Sequence, residues 1–97
     1  MTNSKYSYIV EKVWNKAKEC NCGAEDCTPN NHKLCSICNE TIMYGAYASQ
    51  TSQIHSHYRW DVDHIIPIKK GGTENISNVQ ATHVKCNKKK DKLMHKK

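Results

Sequence analysis

The sequence predicts a small α+β domain, with a helix near the start followed by a β-hairpin and a second helix, stapled by metal ligands. Three observations carry this. Apolar residues recur at helical intervals in the first fifth of the chain. A weakly alternating stretch ending at Pro67 is followed by Gly71-Gly72 and a short return run. Six Cys are spread through only 97 residues, of which 37% are hydrophobic and none is Phe. A core that small needs reinforcement.

Within residues 5–19, Tyr6, Val10, Val13 and Ala17 fall on one helical face, flanked by Ile9 and Trp14, which predicts an amphipathic packing helix. Residues 20–34 contain Gly23, Pro29 and Asn30-Asn31 without periodicity, and predict a loop. Cys35 to Cys38 fits a tight turn. Residues 40–58 are polar and Tyr-rich; they fix no element, and a short helix is compatible with them. Residues 59–67 read as a strand ending at Pro67, with Trp60 in the core beneath the hairpin. Lys69 to Thr73 is a turn, and residues 78–82 are the return strand. From His83 to about Leu93 the residues favour a helix with Lys in nearly every turn. One domain over residues 1–97 is expected, with the hairpin and its helix at about 58–93.

No secretory h-region opens the chain and no apolar run approaches spanning length, so a cytoplasmic location and no membrane partner are expected. Reduced cysteines and metal ligation are then favoured over disulfides. Cys35-x-x-Cys38 with His83-x-x-Cys86 makes two tight ligand pairs, enough for a closed Cys₃His zinc site. Cys20, Cys22, Cys27 and His32 offer rival ligands that spacing does not rank.

Charge is unevenly placed. Residues 1–58 hold five Lys against five acids, whereas residues 59–97 hold ten Lys or Arg against four acids, the whole of the +6 net charge. A terminal Lys run alone reads as a solvated tail. This one begins directly after Asn87, and the carboxylate and imidazole of Asp63-His64 stand upstream. A carboxylate is a hard ligand for Mg²⁺ and an imidazole can serve as a base near neutral pH. A polyanionic substrate accounts for both features. Arg59, Lys69, Lys70, Lys85, Lys88, Lys89 and Lys90 are the candidate phosphate contacts, which position DNA without reading its sequence.

The order of these residues resembles the HNH nucleases of the ββα-metal, or His-Me finger, type. The matching residues are Asp63-His64-Ile65-Ile66-Pro67, Gly71-Gly72, Asn78-Val79-Gln80 and His83-Val84-Lys85-Cys86-Asn87 with the lysines behind it, over about 58–92. His83 stands where Cys is common in the family, and Asn87 where His is common. The resemblance implies a metal-dependent DNA endonuclease acting on double-stranded DNA. Asp63 and Asn87 would hold Mg²⁺ or another divalent ion such as Mn²⁺ or Ni²⁺, and His64 would be the general base. Asn78 would tether the His-bearing segment and orient the imidazole. Cys35, Cys38, His83 and Cys86 would hold structural Zn²⁺. His55 and His57 match nothing in the family pattern and are expected in solvent or facing substrate. The alternative is a zinc-stabilised nucleic-acid-binding module without catalysis, which leaves Asp63, His64, Asn78 and Asn87 unexplained as a set.

Overall fold

A computed structural model describes residues 6–48 and 57–95, the last three by backbone alone. Helix α1 runs from Tyr8 to Lys16 and buries Val10, Val13 and Trp14. Tyr6 and Ala17, the ends of the expected stripe, are also buried, although both lie outside the helix. The helix stops short of residue 19 because Ala17 turns to extended backbone at φ −66° and ψ 153°. Lys33 Nζ then donates to Asn15 O at 3.2 Å and Ala17 O at 3.0 Å, satisfying carbonyls that the helix end leaves open.

The expected loop over 20–34 needs correction at its end. His32–Leu34 form strand β1, paired antiparallel with β2, Thr41–Met43. Three-residue strands are too short to show alternation in a sequence. They enclose the Cys35–Cys38 turn, closed by Cys35 N–H to Glu40 O at 2.8 Å and by Asn39 in the left-handed region at φ 62°. Among the described residues of 40–58, the short helix that the sequence allowed is a 3₁₀ turn at Tyr44–Ala46.

The hairpin comprises β3, Trp60–His64, and β4, Val79–His83, in antiparallel register from Trp60 opposite His83 to His64 opposite Val79. Helix α2 follows directly as Val84–His95. β3 ends at His64 rather than Pro67, where the chain bends through Ile65 and Ile66 into the connecting loop. Strand alternation puts Trp60, Val62 and His64 on one face of the hairpin and Asp61 and Asp63 on the other. α1 packs against β4, and α2 packs against both strands.

Aromatic rings replace the missing Phe in the core. Trp60 is fully buried, as its position predicts, and its ring lies 5.1 Å from Trp14 and 4.8 Å from Tyr47. Tyr6 and Tyr44 complete the cluster. Large rings bury much area with few torsions to freeze, and their polar tips need partners. Trp14 Nε1 donates to Pro29 O at 3.0 Å, and Trp60 Nε1 and Tyr6 Oη both donate to Tyr44 O, at 3.2 and 2.8 Å. Among the described residues no helix is long and apolar enough to cross a membrane.

Candidate functional site

A cleft of about 220 Å³ at the end of the hairpin is lined by Asp63, His64, Asn87 and Lys90. Two elements thus bring the proposed base and both proposed ion ligands to one place. Asp63, only 4% exposed, sits on the strand face that meets α2. Its Oδ2 accepts from Gln80 Nε2 at 2.8 Å, and its Oδ1 accepts from Lys90 Nζ at 3.1 Å. A carboxylate this buried needs a cationic or hydrogen-bonding partner. Here an ammonium supplies the positive charge, and Lys90 also donates to His64 O at 2.7 Å.

His64 is on the opposite strand face but at the strand's last position, so its half-buried ring reaches the rim of the same cleft. Its Nε2 lies 3.0 Å from Glu74 Oε1. A carboxylate can only accept, so this contact selects the tautomer with hydrogen on Nε2 and leaves the lone pair on Nδ1. The alternation expected from sequence holds, and the two side chains are separately employed.

Asn78 ties the connecting loop together. Its Oδ1 accepts from Ile66 N–H at 2.9 Å, while its Nδ2 donates to Ile66 O at 3.0 Å and Thr73 O at 2.8 Å. Its backbone carbonyl accepts from Ile65 N–H at 2.7 Å. These contacts hold the chain just after His64; the imidazole itself is held by Glu74. Gly72 makes this tight packing possible, since a Cβ there would lie 1.7 Å from Ile66 O.

The basic residues divide into two groups. Lys69, Lys70, Lys85, Lys88 and Lys89 are exposed around the cleft and along α2. Arg59 is half-buried, with Nη2 donating to Ala48 O at 3.3 Å. Lys90 differs from its neighbours because its ammonium turns inward onto Asp63. His57 is exposed and lines a broader groove of about 850 Å³ with Lys85 and Lys89; His55 lies outside the described residues.

The Cys-x-x-Cys turn and the start of α2 meet. One ligand atom from each of Cys35, Cys38, His83 and Cys86 lies within 4.8 Å of all the others, so the group could hold zinc. A tetrahedral site with Zn–S of about 2.3 Å and Zn–N of about 2.0 Å separates S from N by roughly 3.5 Å. Cys38 Sγ is 3.3 Å and Cys86 Sγ 4.0 Å from His83 Nδ1. His83 Nε2 lies 2.9 Å from Thr41 O, a carbonyl that can only accept, so the ring's lone pair is on Nδ1 facing the sulfurs.

The protonation tendencies fit the same donor set. Burial holds His83 below its ordinary value, keeping it neutral. Burial pushes the Cys35 thiol up, but N–H groups of Cys38, His83 and Ile37 on its sulfur outweigh this and bring it down. Cys86 is pushed up to about 12 by burial and by the neighbouring thiols. Three clustered thiols cannot all ionise without a cation among them. The rival ligands do not compete for this place: Cys20, Cys22, Cys27 and His32 gather in a separate cluster.

Glu74, Gln80, Lys90 and Thr41 are the site neighbours that sequence reasoning did not assign to these roles. Lys90 carried a signal, because it follows Asn87 by three residues on one helix and so shares its face. Glu74 lies in an aperiodic loop and carried none.

Comparison with curated proteins and with solved structures gave no match. A family model did match. Residues 51–93, which take in β3, β4 and most of α2, match the family described as HNH endonuclease, so this stretch resembles an HNH domain, and that resemblance implies a nucleic-acid substrate.

Proposed function

We propose that the chain, acting as a single domain over residues 1–97, is a metal-dependent DNA endonuclease of the HNH type. The observation that carries this reading is the convergence of Asp63, His64 and Asn87 on one cleft bordered by exposed lysines. Asp63 and Asn87 offer a carboxylate and an amide oxygen, the hard donors that suit Mg²⁺ or Mn²⁺. Asp63 Oδ1 accepts from the Lys90 ammonium, and a carboxylate facing the cleft with a cation on it supports this reading. Asp63 and Asn87 would hold the divalent ion, which when bound stabilises negative charge on the phosphate and leaving oxygen.

The chain's own groups do the rest. His64, its Nε2–H held by Glu74, takes a proton from the attacking water at Nδ1. The water oxygen bonds to phosphorus as the bond to the 3′ oxygen breaks, and the departing oxygen takes a proton from solvent water, leaving 5′-phosphate and 3′-hydroxyl ends. Asn78 keeps the backbone after His64 fixed, so that the imidazole meets the water at a constant distance. Lys69, Lys70, Lys85, Lys88 and Lys89 neutralise phosphates of double-stranded DNA and place no demand on base sequence. Zn²⁺ on Cys35, Cys38, His83 and Cys86 would pin the Cys35–Cys38 turn to the start of α2 and thereby hold Asn87 against the hairpin.

The competing reading, a zinc-stabilised binding module without catalysis, draws on one observation: Lys90 already neutralises Asp63. Incubation of the full chain with plasmid and Mg²⁺, Mn²⁺ or Ni²⁺ separates the two. The nuclease reading expects nicked or linear product with 5′-phosphate ends, and a loss of roughly 10²–10⁴-fold in rate for His64→Ala with DNA affinity retained. Turnover of His64→Ala at the wild-type rate would remove His64 from the mechanism.

A further inference from the structure

We propose that Cys20, Cys22, Cys27 and His32 form a second zinc site, independent of the Cys35, Cys38, His83 and Cys86 cluster and of the nuclease cleft. One ligand atom from each of the four lies within 4.8 Å of all the others. Cys22 Sγ is 3.5 Å from His32 Nδ1, the S-to-N edge of a zinc tetrahedron, which is about 3.5 Å. The site is closed by protein donors alone, three sulfurs and one nitrogen, which is the composition of a structural zinc centre rather than a catalytic one.

The surroundings are built for ligation. Antiparallel pairing of Glu19 with Lys33 brings Cys20 alongside His32. Gly23, at φ +86°, turns the chain just after Cys22. Backbone bonds from Cys27 N–H to Ala24 O and from His32 N–H to Thr28 O fold the intervening residues so that Cys27 returns to Cys20. His32 is buried, and its Nε2 lies 3.5 Å from Asp26 Oδ2, within ion-pair reach but outside hydrogen-bond geometry. An outward carboxylate with the other ring nitrogen facing sulfur is the usual orientation of a zinc-bound imidazole. Cys20 Sγ is 3.1 Å from Thr41 Oγ1, a hydroxyl able to donate to a thiolate.

The segment also needs such a centre. None of residues 18–31 is buried, and none belongs to the hydrophobic core. Fixing each residue's backbone costs about 1–2 kcal/mol, and long irregular loops without a core of their own are uncommon in compact domains. Trp14 Nε1 to Pro29 O, Leu34 N–H to Lys18 O and Tyr44 N–H to Asn31 O tie the segment to the rest of the fold, and turn bonds link residues within it. Bland burial as small apolar residues does not describe thiols that are exposed at Cys22 and half-exposed at Cys20 and Cys27. Thr41 joins the two clusters, its hydroxyl at Cys20 and its carbonyl at His83, so both ions would flank the β1–β2 hairpin.

Zinc content of the full chain, purified under reducing conditions without chelator and measured by elemental analysis, tests this. Wild type should carry about two zinc per chain, and Cys22→Ser with Cys27→Ser should lose one of them while keeping the other. Cys38→Ser should lose the other ion and retain this one, which keeps failure of the first cluster distinct from failure of the second. His32→Cys, which keeps four ligands, should retain wild-type zinc. Should the double variant not fold, Co²⁺ titration of metal-stripped wild type decides, with thiolate-to-cobalt absorption rising to two equivalents. Unchanged zinc in the double variant, or cobalt absorption saturating at one equivalent, would overturn the second site.

Discussion

Single side chains in this protein act through backbone as much as through chemistry, and Asn78 shows it. Its amide spans Ile66 and Thr73 and touches no reacting group. Asn78→Ala removes these bonds and leaves Ile66 and Thr73 backbone groups to water. We expect cleavage to fall by about 10-fold or more, because small displacements of a catalytic group are costly, while Kd for DNA changes little. Asn78→Asp, which keeps the acceptor for Ile66 N–H but faces two carbonyls with a carboxylate, should be no better. A rate unaffected by either variant, read from nicking kinetics at saturating metal, would deny the positioning role. The order of residues singled out Asp63, His64, Asn78 and Asn87 as a candidate set, and three of them, Asp63, His64 and Asn87, line one cleft. The ammonium of Lys90 on Asp63 was not, because a lysine's long stem lets it point to solvent or back to the cleft, and sequence does not choose.

At the scale of elements, the loop between β3 and β4 carries the site's precision. Gly71 adopts φ 94°, and Gly72 has backbone atoms of Ile66 and Pro67 where a Cβ would go. Gly72→Ala must push this loop off its bonds, including Gly72 N–H to Pro67 O at 2.9 Å. The expected outcome is a destabilisation of about 1–3 kcal/mol, as overpacking usually costs, together with a drop in cleavage. Denaturant unfolding and nicking assays read the two effects; a variant as stable and active as wild type would contradict the close approach. The Gly-Gly pair flagged this turn in the sequence, and the periodic stripe of α1 flagged its buried face. β1 and β2 were invisible because three residues cannot display a period. The ends of α1 and β3 were misplaced because tertiary contacts, Lys33 on the helix carbonyls and the bend after His64, set them.

For the whole molecule, the proposed zinc on the Cys/His groups would complete a fold that has few apolar residues and one aromatic cluster. Cys38→Ser should release the zinc of its own cluster and, like chelation of the wild type, broaden the cooperative unfolding transition and shift it to lower denaturant, monitored by circular dichroism. Retention of a sharp, unshifted transition without metal would show that the core suffices. Acid should act in the same direction. The buried His83 is held below its ordinary value of 6.5, so beneath that pH the unfolded chain binds a proton that the folded chain resists, and stability falls as pH falls. Composition raised the expectation of this dependence on ligation, and the charge asymmetry that of a polyanionic substrate; the separation of eight candidate ligands into two clusters required three-dimensional placement. The central claim, that one cleft couples a held ion to His64, is tested most directly by Asp63→Ala and Asn87→Ala in parallel plasmid-nicking and DNA-binding assays. Binding, followed by gel shift in EDTA, rests on the exposed lysines and should match wild type in both variants, or tighten slightly for Asp63→Ala as a negative charge leaves. Nicking should fall to background in both, with high Mn²⁺ restoring Asn87→Ala further than Asp63→Ala because a neutral ligand contributes less to holding the ion. A wild type that binds DNA but nicks it with no divalent ion, or an Asp63→Ala variant that cuts as fast as wild type, would contradict the account.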